Sequence, residues 1–201
     1  MSRVALIDHG LGNLQAVEKA LSKVSPSGPV FRCYDPTELK RADCLVLSGT
    51  GQLDACVAEL QRLGMAEILA DYLQEKPILA INLGLLAMCS TGLDLVPGDA
   101  VPMNADGSLD VRLPHIGWNT LERQQDHPLF EGISEEAPFY FAHGVRLESD
   151  AVQTVATATH GERFPAMVAH GNFIGVQFHP EISDKQGLRF LANFINWDNQ
   201  D

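Results

Sequence analysis

The chain has 201 residues, 45% of them hydrophobic, which is enough for one sizeable core and matches a single domain of roughly 100 to 200 residues. Lys and Arg number 14 against 26 Asp and Glu, giving a formal charge of −12 and a pI near 4.9. That balance argues against nucleic acid and anionic membrane surfaces as partners, because the cations needed to neutralise phosphates are outnumbered by carboxylates.

In chain order, Val4 to Ile7 is an apolar run ending in Asp8-His9-Gly10. Asn13 follows as an N-cap, with Leu14, Val17, Leu21 and Val24 at helical spacing. This reads as strand, turn, helix. The start has no basic stretch leading into an apolar one, and no apolar run approaches the ~20 residues needed to span a bilayer, so the expectation is a soluble, cytoplasmic chain. "CLVLSGTGQ" (Cys44 to Gln52) repeats the pattern, and a single helical segment through Tyr72 is expected from Val57, Leu60, Leu63, Ile68 and Leu69. "PILAINLG" opens a third unit. Strands alternating with helices indicate a mainly parallel sheet covered on both faces.

After Leu93 the character changes. Turn signals fall at Pro97-Gly98, Asp106-Gly107 and around Asn172, between the strand candidates "HIGWNTL", "PFYFAHGV", "VQTVATAT", "PAMVAH" and "NFIGVQFH". These are expected to extend the sheet, partly antiparallel. Gly187 to Trp197 closes the chain as an amphipathic helix, with Leu188, Leu191 and Ile195 on one face. There is no linker, so one domain over residues 1–201 is expected. Cys33, Cys44, Cys56 and Cys89 lack ligand-like spacing, which predicts neither disulfide nor metal.

Three fragments bear on chemistry: the turn at Asn82, "SGTGQ" (Ser48 to Gln52), and "GVQFHPE" (Gly175 to Glu181). Loops at the carboxyl ends of neighbouring strands converge on one crevice. If the chain is extended there, His179 and Glu181 fall on the same side, and the carboxylate can orient the imidazole. Together with "IDHGLGNL" (Ile7 to Leu14), "LPHIGWN" (Leu113 to Asn119) and "YFAHG" (Tyr140 to Gly144), taken in order over nearly the whole chain, the sequence resembles the class I (triad) glutamine amidotransferases, within them the glutaminase subunits of imidazole glycerol phosphate synthase.

The resemblance implies a flavodoxin-like α/β fold. It also implies glutamine hydrolysis by a Cys-His-Glu triad without a cofactor, and ammonia passed to a (β/α)₈ barrel cyclase partner in a heterodimer. By motif position Asn82 stands at the nucleophile, and His179 and Glu181 at the base and its orienting carboxylate. Gly49, Thr50, Gly51 and Leu83 stand at the oxyanion turn, and Leu86, His143 and Gly144 at the substrate pocket. Trp118, Asn119 and Tyr140 stand at the partner interface, although Trp118 reads equally as a core aromatic, and the basic residue usual after His-Pro-Glu is Ile182. His115 and His143 otherwise read as ordinary strand or turn residues.

The departures cluster. Where the family has Gly-x-Cys-x-Gly-x-Gln, this chain has Ala80-Ile81-Asn82-Leu83-Gly84-Leu85-Leu86, with Ser48 and Gly144 also changed. A deliberate inactivation changes one residue, so several changes at one crevice point to natural loss. Asn suits the turn, being one of the few non-Gly residues enriched at positive φ. Cys89 lies about 10 Å further along a helix, out of reach of the base. The leading expectation is a structural or regulatory partner of a cyclase-like barrel, inactive as a glutaminase, with glutamine binding in doubt. Two alternatives stand beside it: a small-molecule binding module in the remodelled pocket, and an amidotransferase that remains active, either with His179 and Glu181 assisting hydrolysis or with its Cys substituted by Asn82.

Overall fold

A computed structural model describes residues 2–25, 28–104, 111–148 and 152–197. The turn expected at Asp106-Gly107 lies outside the described residues. The elements in order are β1 (Val4–Ile7), α1 (Leu14–Val24), β2 (Val30–Cys33), α2 (Pro36–Leu39), β3 (Cys44–Gly49), α3 (Leu53–Arg62), α4 (Met65–Glu75), β4 (Ile78–Asn82) and α5 (Leu83–Met88). There follow β5 (Asp99–Pro102), β6 (His115–Thr120), β7 (Glu122–Arg123), β8 (Pro138–His143), β9 (Val145–Glu148), β10 (Gln153–His160), β11 (Glu162–His170), β12 (Phe173–Val176) and α6 (Asp184–Asn196).

The main sheet runs β2-β1-β3-β4-β12-β11-β10-β7. Its first five strands are parallel, and β11, β10 and β7 continue it antiparallel. The α/β fold class expected from the alternating pattern is the one observed. Every residue of β1, β3, β4 and β12 is buried, because helices cover both faces. Val4, Leu6, Val46, Leu79 and Ile81 face the layer built by α1 and α6, while Ala5, Ile7, Leu45, Leu47, Ile78 and Ala80 face α3, α4 and α5.

Asn13 caps α1 by accepting from the Ala16 N–H at 3.3 Å. The apolar face of α6 is Phe190, Leu191, Phe194 and Ile195, with Gly187 buried in its first turns, so the helix begins three residues earlier than the apolar spacing implies. The single helix expected through Tyr72 is two: Gly64, at φ 70°, takes a left-handed turn that the unbroken apolar periodicity does not register. The short β2, α2, β5 and β7 carry too few periodic residues to be read from sequence.

Two expected sheet extensions belong elsewhere. "HIGWNTL" and the first part of "PFYFAHGV" pair with each other as the two-stranded ribbon β6-β8, and the rest of the second joins β5 as a second ribbon, β5-β9. Alternation in β6 is imperfect, with only His115 fully buried. The ribbon stands off the sheet's carboxyl edge and walls one side of the crevice there.

One tight element junction is β3 against α5. A Cβ placed on Gly84 would overlap the Leu47 carbonyl oxygen, so helix and strand can approach only over glycine. Gly84→Ala is therefore expected to destabilise the fold by about 1–3 kcal/mol or more, as overpacked sites do, measured as a lowered midpoint in denaturant unfolding with unchanged slope.

Candidate functional site

Asn82 ends β4 and begins α5 at φ 51°, ψ −106°. That conformation costs an ordinary L residue about 1–3 kcal/mol and aims the side chain off the sheet's carboxyl edge. Gly49, the last residue of β3, pairs with Asn82 across the strands. The opening loop braces the turn that follows: a Cβ on Gly12 would lie 2.7 Å from Thr50 N and 2.9 Å from Gly49 Cα, and the buried His9 donates from Nε2 to Ser48 O at 2.8 Å. In sequence, His9 reads only as part of a turn.

His179 lies beyond the end of β12, at the head of a 3₁₀ turn over Pro180–Ile182. It reaches Glu181 across that turn rather than along an extended strand, which corrects the reason for their pairing while keeping the pair. Nδ1 of His179 is 2.8 Å from Glu181 Oε1, with both side chains at most 7% exposed. The backbone is held from both sides: His179 N donates to Tyr140 O at 2.8 Å, and the Ser183 hydroxyl donates to His179 O at 2.6 Å while accepting from Tyr140 N at 2.9 Å.

The third side chain closes this arrangement. Asn82 Nδ2 donates to Ala142 O at 3.0 Å and lies 2.6 Å from His179 Nε2. A carbonyl oxygen can only accept, so the amide nitrogen must face Ala142, and the same nitrogen meets the imidazole. Nε2 therefore accepts and Nδ1 carries the ring proton to Glu181. The imidazole's one lone pair is occupied.

In front of Asn82 opens a cavity of about 310 Å³, lined among others by Thr50, Gly51, Leu83, Leu86, His143 and Gly144. Cys89 is elsewhere: it follows the end of α5, fully buried, with its thiol donating to Leu86 O at 2.8 Å and burial raising its pKa. Among the described residues no group of three His, Cys, Asp or Glu side chains is arranged to hold a metal, and no helix is long and apolar enough to cross a membrane.

His115 and His143 are more than ordinary strand residues. They are buried and directly opposite in the β6-β8 register. His143 Nδ1 donates to Val145 O at 3.0 Å, so its Nε2 accepts from His115 Nδ1 at 3.1 Å, and His115 Nε2 in turn faces the Asn119 amide at 3.4 Å. Protonating either ring sets donor against donor. Burial, then neighbouring histidines, holds His115 down to about 3, and burial foremost holds His143 down to about 4. His160 stacks on His115 at 4.1 Å between ring centroids.

On the ribbon's outer side Trp118 and Tyr140 sit opposite each other, edge to face at 5.7 Å. Trp118 is 49% exposed, Ile116 62% and Ile182 44%, which removes Trp118 from the core. Asn119 anchors the same ribbon by donating to Thr159 O at 2.9 Å. Gln177, which stands inside a motif without being singled out by it, is wholly buried one residue beyond Val176, the partner of Ile81 across the strands, with neither amide atom partnered among the described residues. A polar residue inside an otherwise apolar strand is its only signal in sequence.

The Glutamine amidotransferase class-I profile matches residues 5–197. Similar proteins include the HisH subunit of imidazole glycerol phosphate synthase from Aromatoleum aromaticum, 38% identical over 98% of this chain and 99% of that one, and its counterpart from Pseudomonas putida, 37% identical over 98% and 99%. The Chromobacterium violaceum HisH protein is 36% identical over 98% of both. Among solved structures, PurLQS from Thermotoga maritima superposes with a TM-score of 0.76 at 18% identity, covering 98% of this chain and 99% of that one. The crystal structure of a glutamine amidotransferase gives 0.71 at 16%, covering 96% and 99%. At those identities the structures speak to fold alone.

The two depressed histidines set an acid limit on stability. Their folded pKa values lie below the ordinary 6.5, so the unfolded chain binds more protons between those values, and stability falls as pH drops through 6.5. From pH 8 to pH 5 the pair is expected to remove about 2–4 kcal/mol, a fall of roughly 5 to 15 °C in Tm by calorimetry. His115→Phe removes one contributor and should flatten that slope by about half.

Proposed function

The chain belongs to the class-I glutamine amidotransferase family, and from that premise we propose that it is a HisH-like glutaminase-type subunit whose own glutamine hydrolysis is abolished at Asn82. The carrying observation is the 2.6 Å approach of Asn82 Nδ2 to His179 Nε2. In a triad, the base's lone pair receives the nucleophile's proton. Here that lone pair is filled by an amide whose nitrogen is conjugated to its carbonyl and has no nucleophilic pair to offer. Loss of a triad nucleophile costs about 10⁶ in rate, roughly 8–9 kcal/mol of transition-state stabilisation. No rearrangement of the surviving His179–Glu181 pair supplies that.

The substrate side argues the same way. Leu86, at the position of the glutamine-holding side chain, is 3% exposed and lines the cavity, where it offers no hydrogen bond to an α-amino acid. Gly49, Thr50, Gly51 and Leu83 keep the position of the oxyanion turn, braced by His9 and Gly12. In this reading the turn is retained as scaffold.

The remaining role is partnership. Trp118 and Tyr140 on the free side of the ribbon, with Ile116 and Ile182 exposed nearby, form an aromatic and apolar surface of the kind that anchors protein interfaces. The partner we propose is a (β/α)₈ cyclase, held as a cytoplasmic heterodimer in histidine biosynthesis and supplied with free ammonia or ammonia from another source. Asn119 and His115 tie this surface to His143 at the cavity, so docking bears on the cavity wall.

The reading that His179 and Glu181 hydrolyse glutamine without a covalent intermediate requires the lone pair that Asn82 fills. Glutamate release from glutamine, assayed with and without the cyclase partner, separates the two readings. The unmodified chain is expected to match background, and Asn82→Cys/Leu86→Gln to regain partner-dependent turnover; hydrolysis by the unmodified chain that disappears in His179→Ala would overturn the proposal.

A further inference from the structure

The cavity in front of Asn82 has a composition that neither the family nor the loss of the nucleophile dictates. Its walls come from Leu53, Leu86, Pro114, Ile116, Ala142 and Val145, and among the described residues the lining contains no Asp, Glu, Lys or Arg. The titratable side chain among them is His143, and both its ring nitrogens are engaged, Nδ1 with Val145 O and Nε2 with His115. It presents the cavity with an uncharged ring. A zwitterionic amino acid placed here would bring an ammonium and a carboxylate to a wall without a counter-charge. Each charge would lose solvation with nothing to replace it.

One polar group in the lining is left unspent. Asn82 is 6% exposed and its Nδ2 is committed to Ala142 O and His179 Nε2. Its Oδ1 has no partner among the described residues, and Asn82 lines the cavity. A carbonyl oxygen at the base of an apolar cavity is satisfied by a ligand N–H or O–H. The Thr50 hydroxyl stands at the exposed rim.

We propose that this cavity binds an uncharged, mainly apolar small molecule that donates one hydrogen bond to Asn82 Oδ1, a primary amide or alcohol on a short hydrocarbon chain, and that it rejects zwitterionic amino acids, glutamine included. The proposal rests on the reading that glutaminase chemistry is gone, and goes beyond it by assigning the cavity a ligand class. The substitution of an apolar Leu86 for a polar side chain then has a positive consequence as well as a negative one. It completes an apolar wall around the Asn82 acceptor, where an alkyl chain loses water and a charged headgroup has no counter-charge.

The test uses the full chain with hexanamide, hexanoate and L-glutamine as probes, followed by thermal shift and by methyl NMR of the cavity leucines and valine. Hexanamide is expected to raise Tm saturably, with Kd on the order of 1 mM for so small a ligand, and to shift the Leu86 and Val145 methyl signals. Hexanoate and glutamine should do neither. Leu86→Gln is expected to weaken hexanamide at least tenfold. Because that site is buried, Leu53→Gln at the half-buried rim provides a second variant with the same expectation. Asn82→Gly, which keeps the positive φ and removes the acceptor, should weaken it about fivefold, the loss of one hydrogen bond. Glutamine binding as tightly as hexanamide, or no saturable response to hexanamide, overturns the proposal. Failure with hexanamide in a chain that also leaves glutamine intact overturns this inference alone, whereas glutamine hydrolysis overturns the reading beneath it.

Discussion

The amide of Asn82, held between Ala142 O and His179 Nε2, is the contact on which the rest of the site depends. It joins three elements: the end of β4, the ribbon strand β8, and the 3₁₀ turn that follows β12. The side chain at this position must tolerate positive φ, reach a carbonyl, and satisfy a buried imidazole at once. Asn meets all three conditions, through its backbone tolerance and its two N–H donors. A thiol would meet the third by giving its proton to the imidazole, and that difference separates a poised triad from a closed one.

The surrounding fold is organised to keep this contact in place. Gly84 lets α5 lie against β3, which fixes the direction in which Asn82 leaves the sheet. The opening loop, through Gly12 and His9, fixes the turn after β3. Ser183 and Tyr140 clamp the backbone on which His179 sits. None of these supports is itself chemical. The result is a preorganised crevice, joined to the ribbon through the hydrogen-bonded chain of Asn119, His115 and His143.

Much of this is legible in the sequence, for reasons that can be stated residue by residue. The parallel half of the sheet announces itself because strands buried on both faces read as unbroken apolar runs, as in "CLVLSG" and "ILAIN". The turn at Asn82 and the His179–Glu181 pair are local features, three to five residues long, and survive in sequence as motifs. Long-range and conformational facts escape. Gly64 breaks a helix without breaking its apolar period, and β6 and β8 carry strand-like residues but pair only with each other. The His115–His143 bond joins residues 28 apart, and the burial of Gln177 depends on neighbours that its own segment does not specify. The bond from Asn82 to His179 spans 97 positions. Motif positions place both residues at one crevice, but the filled lone pair emerges only from their geometry.

In the proposed reading, the lone pair of His179 is occupied by Asn82 and is unavailable as a base. The most direct measurement is the tautomeric state of His179 by ¹⁵N NMR of the imidazole nitrogens near neutral pH. The expected result is a ring protonated at Nδ1, with Nε2 unprotonated and coupled across a hydrogen bond to the Asn82 side-chain amide. A ring protonated at Nε2 would mean that this nitrogen donates and has no lone pair for Asn82 to fill, and an unprotonated Nε2 without coupling to Asn82 would mean that its lone pair is free; either contradicts the proposed reading.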